Sequence, residues 1–299
     1  MRFRRPALAL VLACLPTAPA FAQRAKSLDA VPGLLKSPEA VWAEQMEGRP
    51  APDHLGTRDL AGLDAEMLRQ LLVPDIAGER IVLLGARRWT QHPGHTVAIV
   101  CYREGAARNA SAAPSCETGD TAQVLGVLRV SDAGDTQLVA RLRLDDGIAW
   151  PLLAWDGTQP LQMEEAGASA IPERWERFDL APYRLSDGAP ALGLRGGWSE
   201  GYAGGGAFFS ALYLFELRGN TLKQVFGAQM SMYRDIAGSW NDDGTREHDI
   251  EEWAGVLIVE PRAHHGHRDL RLRERGGRGG RGGELYRWSP TDDGYRRAE

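Results

Sequence analysis

Hydrophobic positions change their spacing partway along the chain. Up to about residue 74 they recur every three to four residues, and from Arg80 onward every second residue. The first spacing predicts two short helices. Ser37-Pro38-Glu39 places a capping serine and a first-turn proline ahead of residues 40–47. Leu63, Met67, Leu68, Leu71 and Leu72 share one face of a second helix over 63–72, which Pro74 ends. Residues 23–36 carry neither spacing and read as an unstructured lead-in.

The second spacing predicts strands. Residues 80–84 and 96–100 pair around Gln91-His92-Pro93-Gly94, and 124–130 and 137–144 flank a loop at 131–135. Residues 152–155 and 161–163 flank Asp156-Gly157, and 213–217 and 222–226 flank Arg218-Gly219-Asn220-Thr221. Segments 253–260, 268–273 and 285–288 follow, with a last turn at Asp292-Asp293-Gly294. Asx and Gly supply the positive φ angles that tight hairpins need. The turn glycines Gly134, Gly157, Gly188, Gly219 and Gly294 are unevenly spaced, which excludes a regular solenoid. The expected fold class is all-β and mainly antiparallel, with a short helical N-terminal segment. So many strands hide their edges in a propeller-like arrangement, a barrel or a two-layer sandwich, and periodicity does not choose among them. The expected organisation is 1–22, then 23–78 as lead-in and helical segment, then a β domain over 79–299 with a candidate subdivision near 165–180.

Residues 1–22 change the compartment. Arg2, Arg4 and Arg5 precede a short apolar run, and Ala20-Phe21-Ala22 matches the small-x-small pattern of signal-peptide cleavage before Gln23. The chain is therefore expected in the periplasm or outside the cell. Loss of the leader removes three arginines and no acid, leaving 32 basic against 40 acidic residues and a net charge of −8. That balance argues against nucleic acid as partner, because phosphate contacts need a basic face. For the same reason the tract over 276–283, Gly-Gly-Arg-Gly-Gly-Arg-Gly-Gly, reads as a loop and not as an RNA-binding segment. No stretch after the leader reaches 18 consecutive apolar residues, so no membrane span is expected. Of the three cysteines, Cys14 lies in the leader; Cys101 and Cys116 remain and read as one disulfide.

Four sequence features could carry chemistry. Gly197-Trp198-Ser199-Glu200-Gly201 spells the nucleophile-elbow pattern of α/β-hydrolases, with His264, His265 or His267 as candidate base and Asp242 or Asp249 as orienter. That pattern requires a strand-to-helix turn, and the glycines at 204–206 cannot open a stable helix. His264, His265 and His267, with His92 and His95, are candidate zinc ligands. Trp150, Trp155, Trp175, Trp198 and Trp240 lie in or near expected loops and could stack on sugars.

The fourth feature is the acidic segment 239–252. Asn241, Asp243 and Gly244 alternate in the phase of a calcium loop, with Glu247 three residues after the glycine. This segment resembles the D-x-D-x-D-G-x-x-D loops of integrin-type FG-GAP β-propellers, although Ser239 stands at the first acidic position and Glu247 replaces the last aspartate. The resemblance implies a structural calcium ion held by Asn241, Asp243 and Glu247, and raises the expectation of a propeller-like fold. The expected function is a non-enzymatic binding or scaffold protein whose partner is a protein or a glycan. The alternative is a hydrolase using Ser199.

Overall fold

The computed structural model describes residues 23–35, 52–105, 116–119, 121–147, 153–154, 160, 171–188, 190–276 and 282–298. The leader, the expected helix at 40–47, the strand at 161–163, the Asp156-Gly157 turn, Trp150, Trp155 and most of the glycine-arginine tract lie outside them. The architecture is all-β and mainly antiparallel, in two open sheets. A four-stranded sheet runs β2 (Ile81–Arg88), β3 (His95–Tyr102), β4 (Ala122–Val130), β5 (Thr136–Arg143). A ten-stranded sheet follows the path β14 (Gly294–Arg297), β13 (Glu284–Ser289), β12 (His267–Glu274), β11 (Arg246–His264), β10 (Thr221–Trp240), β9 (Gly205–Arg218), β8 (Ala191–Tyr202), β7 (Arg174–Tyr183). Off that path, β1 (Gln23–Ala25) pairs with β11, and β6 (Leu153–Ala154) pairs parallel with β10. Neither sheet closes on itself, so of the three arrangements the sequence allows, the layered one is adopted and the barrel is not.

Strand β3 shows why the smaller sheet sits inside. Val97, Ile99 and Cys101 face the larger sheet, and Ala98 and Val100 face the opposite way, all five fully buried. A strand covered on both faces reads as a continuous apolar run. One cover is α1 (Ala65–Leu72), capped where Asp64 accepts from the Met67 N–H at 2.8 Å. Its Leu68 and Leu72 pack on Ala98, Val100 and Leu128. A Cβ at Gly126 would lie 2.1 Å from Leu72 Cδ2, so the helix can approach only over a glycine.

The other cover is the larger sheet. Leu192, Leu194 and Trp198 of β8 and Phe209, Tyr213 and Phe215 of β9 pack on Val97, Ile99, Leu125 and Val127. Each such fully buried side chain contributes about 1.5–3 kcal/mol. The Cys101–Cys116 disulfide, with Cα atoms 5.6 Å apart, ties the layers together. Cys116 accepts from the Trp175 N–H at 3.1 Å, and the Thr118 N–H donates to Glu173 at 2.7 Å, so the bridge fastens β3 to the outer edge of β7.

On the far side of β9, Leu212 and Leu214 meet Leu270, Leu272, Tyr286, Trp288 and Tyr295. The C-terminal strands fold back over the sheet because β11 changes partner. Its residues 246–254 pair with β10, and from Gly255 onward it pairs with β12. The β11–β12 turn has positive φ at both His265 (51°) and Gly266 (82°), the requirement of a type I′ hairpin.

One expectation is corrected. The segment 23–36 is not an unstructured lead-in over the residues described. Strand β1 adds to β11 with Gln23 opposite Ile250 and Ala25 opposite His248, and a 3-10 turn over Leu28–Gly33 follows. Val31 is fully buried with Ala25, Tyr233 and Ile250. A lone β1 has too few apolar positions to show period 2, and only its partner strand makes it regular.

Candidate binding surface

β10 and β11 are the longest strands, at 20 and 19 residues. β9 pairs with β10 only as far as Asp235, opposite Gly206, so the last residues of β10 extend past it with β11. The end is closed by Asn241-Asp242-Asp243-Gly244-Thr245. The Asn241 N–H donates to Thr245 O at 2.8 Å, the Gly244 N–H donates to Asn241 O at 3.1 Å, and Gly244 has φ of 81°. This is a three-residue loop made of a type I turn and a left-handed glycine. Ser131-Asp132-Ala133-Gly134-Asp135 closes the β4–β5 hairpin in the same way.

That turn chemistry uses the residues expected to hold calcium. Asp243 Oδ1 accepts from the Thr245 N–H at 2.9 Å and from its hydroxyl at 2.6 Å, and the two bonds hold the carboxyl below its ordinary range. Asn241 Nδ2 donates to Lys26 O at 2.8 Å and to Thr245 Oγ1 at 2.9 Å, fastening the loop to the N-terminal segment. Glu247 lies beyond the loop, on β11, 3.7 Å from Arg24. Among the described residues no group of three or more His, Cys, Asp or Glu is placed to hold a metal ion.

The acidic run then alternates. His248 and Ile250 are buried, and His248 Nδ1 lies 2.7 Å from Asp235 Oδ1. Glu247, Asp249 and Glu251 point to the other face, where Arg24 meets Asp249 at 2.9 Å and Arg234 meets Glu251 at 2.6 Å. A segment that reads as a ligand loop is thus the start of a strand with one buried and one charged face.

Trp240 ends β10 and is 71% exposed. Its cross-strand neighbour is Arg246, whose guanidinium lies 5.3 Å from the ring centroid. Arg246 Nε donates to Gly238 O at 2.9 Å, which holds the guanidinium against the ring. Ile236, four residues earlier, is also exposed. Of the other tryptophans considered for stacking, Trp175 and Trp198 are buried between the sheets.

Ser199 lies within β8, which continues to Tyr202 and turns directly into β9. Its hydroxyl donates to Glu173 Oε2 at 3.1 Å and accepts from Arg174 Nη1 at 3.3 Å. There is no strand-to-helix turn at this position. The three histidines considered as its base, and as zinc ligands, are engaged around the β11–β12 turn. His264 Nδ1 is 2.5 Å from Asp269 Oδ1, and His265 occupies the turn itself. His267 stacks on Trp288 with centroids 3.6 Å apart, and its Nε2 lies 3.2 Å from Glu216 Oε1. His92 of the β2–β3 turn and His95 at the start of β3 stack on each other at 3.8 Å. Asp242 is in the hairpin loop, and Asp249 is held by Arg24.

Among the described residues no helix is long and apolar enough to cross a membrane. Comparisons with protein-family models, with curated proteins and with solved structures found no match to the chain.

Proposed function

We propose that the chain is an exported, non-enzymatic binding protein that recognises a protein partner through Trp240 and Arg246 at the end of the β10–β11 hairpin. The observation that carries this reading is the exposure of Trp240, 71%, on a hairpin end fixed by its own turn and by the N-terminal segment. Tryptophan and arginine are the residues most enriched where partner proteins bury their binding energy. A ring held flat by a guanidinium loses little freedom on association, so less of the binding energy is spent on ordering it. The signal-like residues 1–22 and the Cys101–Cys116 disulfide support export.

The test is photo-cross-linking in the native cell. A photoreactive phenylalanine analogue replaces Trp240 in one strain and the exposed Val256, elsewhere on β11, in another. A discrete protein adduct at 240 and none at 256 is the expected result. No adduct at 240, or the same adducts at both positions, overturns the reading. Adduct-free chain that binds immobilised glycans, and loses that binding in Trp240→Ala, assigns the hairpin end to sugar instead.

A further inference from the structure

On β7, Arg177 stands directly opposite Arg195 of β8. Like charges facing each other across a strand pair are destabilising. One carboxylate serves the pair, and it is committed. Arg195 Nε donates to Asp179 Oδ2 at 2.8 Å, and Arg195 Nη2 reaches the same oxygen at 2.6 Å. Arg177 is half-buried, and its Nε is fully enclosed without a hydrogen-bond partner. Burial, followed by the facing Arg195, lowers its proton affinity below the usual guanidinium range. An enclosed guanidinium donor without an acceptor carries the full cost of lost hydration. The surrounding charges are Asp179, Glu176 and Arg195, with the buried Tyr183 hydroxyl beside Asp179, and Glu176 is paired to Arg174 at 3.0 Å. β7 is the last strand of its sheet, and its outer edge is lined by the segment at 116–118 and by His54, whose O accepts from the Phe178 N–H at 3.4 Å.

We propose that Arg177, with Arg195 behind it, forms a binding site for a small oxyanion, a carboxylate or a phosphate group. The fork of Arg177 matches two oxygens of such a group, and the anion supplies the negative charge that the two guanidiniums lack. Asp179 positions Arg195 and does not touch the ligand.

The experiment is the melting temperature of residues 23–299 at constant ionic strength, with chloride replaced stepwise by inorganic phosphate or by acetate. The expected result is a saturable rise of about 2–4 °C with at least one of the two. Which one saturates names the class. Arg177→Met is expected to melt at or above the wild type in chloride, since it removes the repulsion, and to show no rise with either anion. A wild type indifferent to both anions overturns the proposal, and so does an Arg177→Met protein that keeps the rise. If Arg177→Met fails to fold, arginine-labelled wild type is titrated instead. A saturable shift of the Arg177 Nε–H resonance supports the site, and an unmoved resonance overturns it.

Discussion

Arg24 Nε donates to Asp249 Oδ1 at 2.9 Å across the β1–β11 pair, while Ala25, the next residue, turns inward to Tyr233 and Ile250. The N-terminal strand is therefore a strap with a charged outer edge and an apolar underside, and Val31 closes it from the following turn. Val31→Ala is expected to lower the unfolding free energy by about 2 kcal/mol, from two lost methyl groups and the cavity left behind. Arg24→Ala is expected to change it much less, with a difference that shrinks as salt is added. Urea titrations of both variants at low and high salt decide this. A Val31→Ala protein as stable as the wild type would show that the strap lies outside the cooperative core.

The disulfide joins β3 to the segment that covers the edge of β7, between cysteines 15 positions apart in sequence. Constraining a loop of that size contributes about 3 kcal/mol. Replacing Cys101 and Cys116 together by alanine, or reducing the bond, is expected to lower the unfolding free energy from urea titration by that amount, with a lower midpoint. The loss should appear in both sheets at once, because they share one core. Separate transitions for the two sheets would contradict the shared core.

Asp179 gives the chain an acid-sensitive element. Burial raises its pKa, but the charge and hydrogen bond of Arg195, with the Tyr183 hydroxyl and the charge of Arg177, together outweigh burial and leave it below its ordinary value of 3.8. A carboxyl with a lowered native pKa contributes stability above its unfolded pKa, and that contribution is lost as pH falls through the native value. At neutral pH Asp179→Asn is expected to cost on the order of 3 kcal/mol, because it strands Arg195 beside Arg177. The gap between wild type and variant should stay constant from neutral pH down to about pH 5 and close below about pH 4. Denaturation curves across that range test the sign directly. A gap that widens toward acid would mean that Asp179 is not held ionised by Arg195.

Local features were legible in the sequence. The leucine face over 63–72 marked α1, and Gly134 and Gly219 marked turns, because helical spacing and positive φ depend on a few adjacent residues. What was not legible depends on distant pairing. Nothing within 246–264 says that β11 exchanges β10 for β12 at Gly255, or that residues 23–25 supply its other neighbour. The candidate site shows the same divide. Asn241, Asp243 and Gly244 satisfy a hairpin turn and a calcium loop equally well as a string, since both require short oxygen-bearing side chains around a left-handed glycine. The alternation of Glu247, Asp249 and Glu251 against His248 and Ile250 was the available signal that a strand had already begun. Trp198 falls in phase with Leu192 and Leu194, which marks it as core, whereas the exposure of Trp240 follows from β10 extending beyond β9. The unpartnered Arg177 had no signal, because its facing arginine is 18 positions away and known only from the register.

Ser199 is expected to be inert toward an acylating probe. Its hydroxyl lies between a carboxylate and a guanidinium in the middle of a strand, with none of the histidines considered as its base beside it. A fluorophosphonate incubated with the folded chain should leave Ser199 unmodified by mass spectrometry. Specific labelling there, lost on unfolding, would restore the hydrolase reading.

The hairpin end is expected to owe its stability to the turn and not to an ion. Gly244 at φ of 81° occupies a conformation that costs an ordinary residue about 1 kcal/mol. Gly244→Ala should therefore destabilise the chain by about that much, equally in millimolar calcium and in excess chelator. Asp243→Ala should also destabilise it in both, by removing the two bonds from Thr245. A resident ion would behave differently: the wild type would melt higher in calcium, and Asp243→Ala would abolish that difference while costing nothing in chelator. The two accounts thus assign the same carboxylate opposite dependence on calcium, and four melting curves, wild type and Asp243→Ala with and without the ion, separate them.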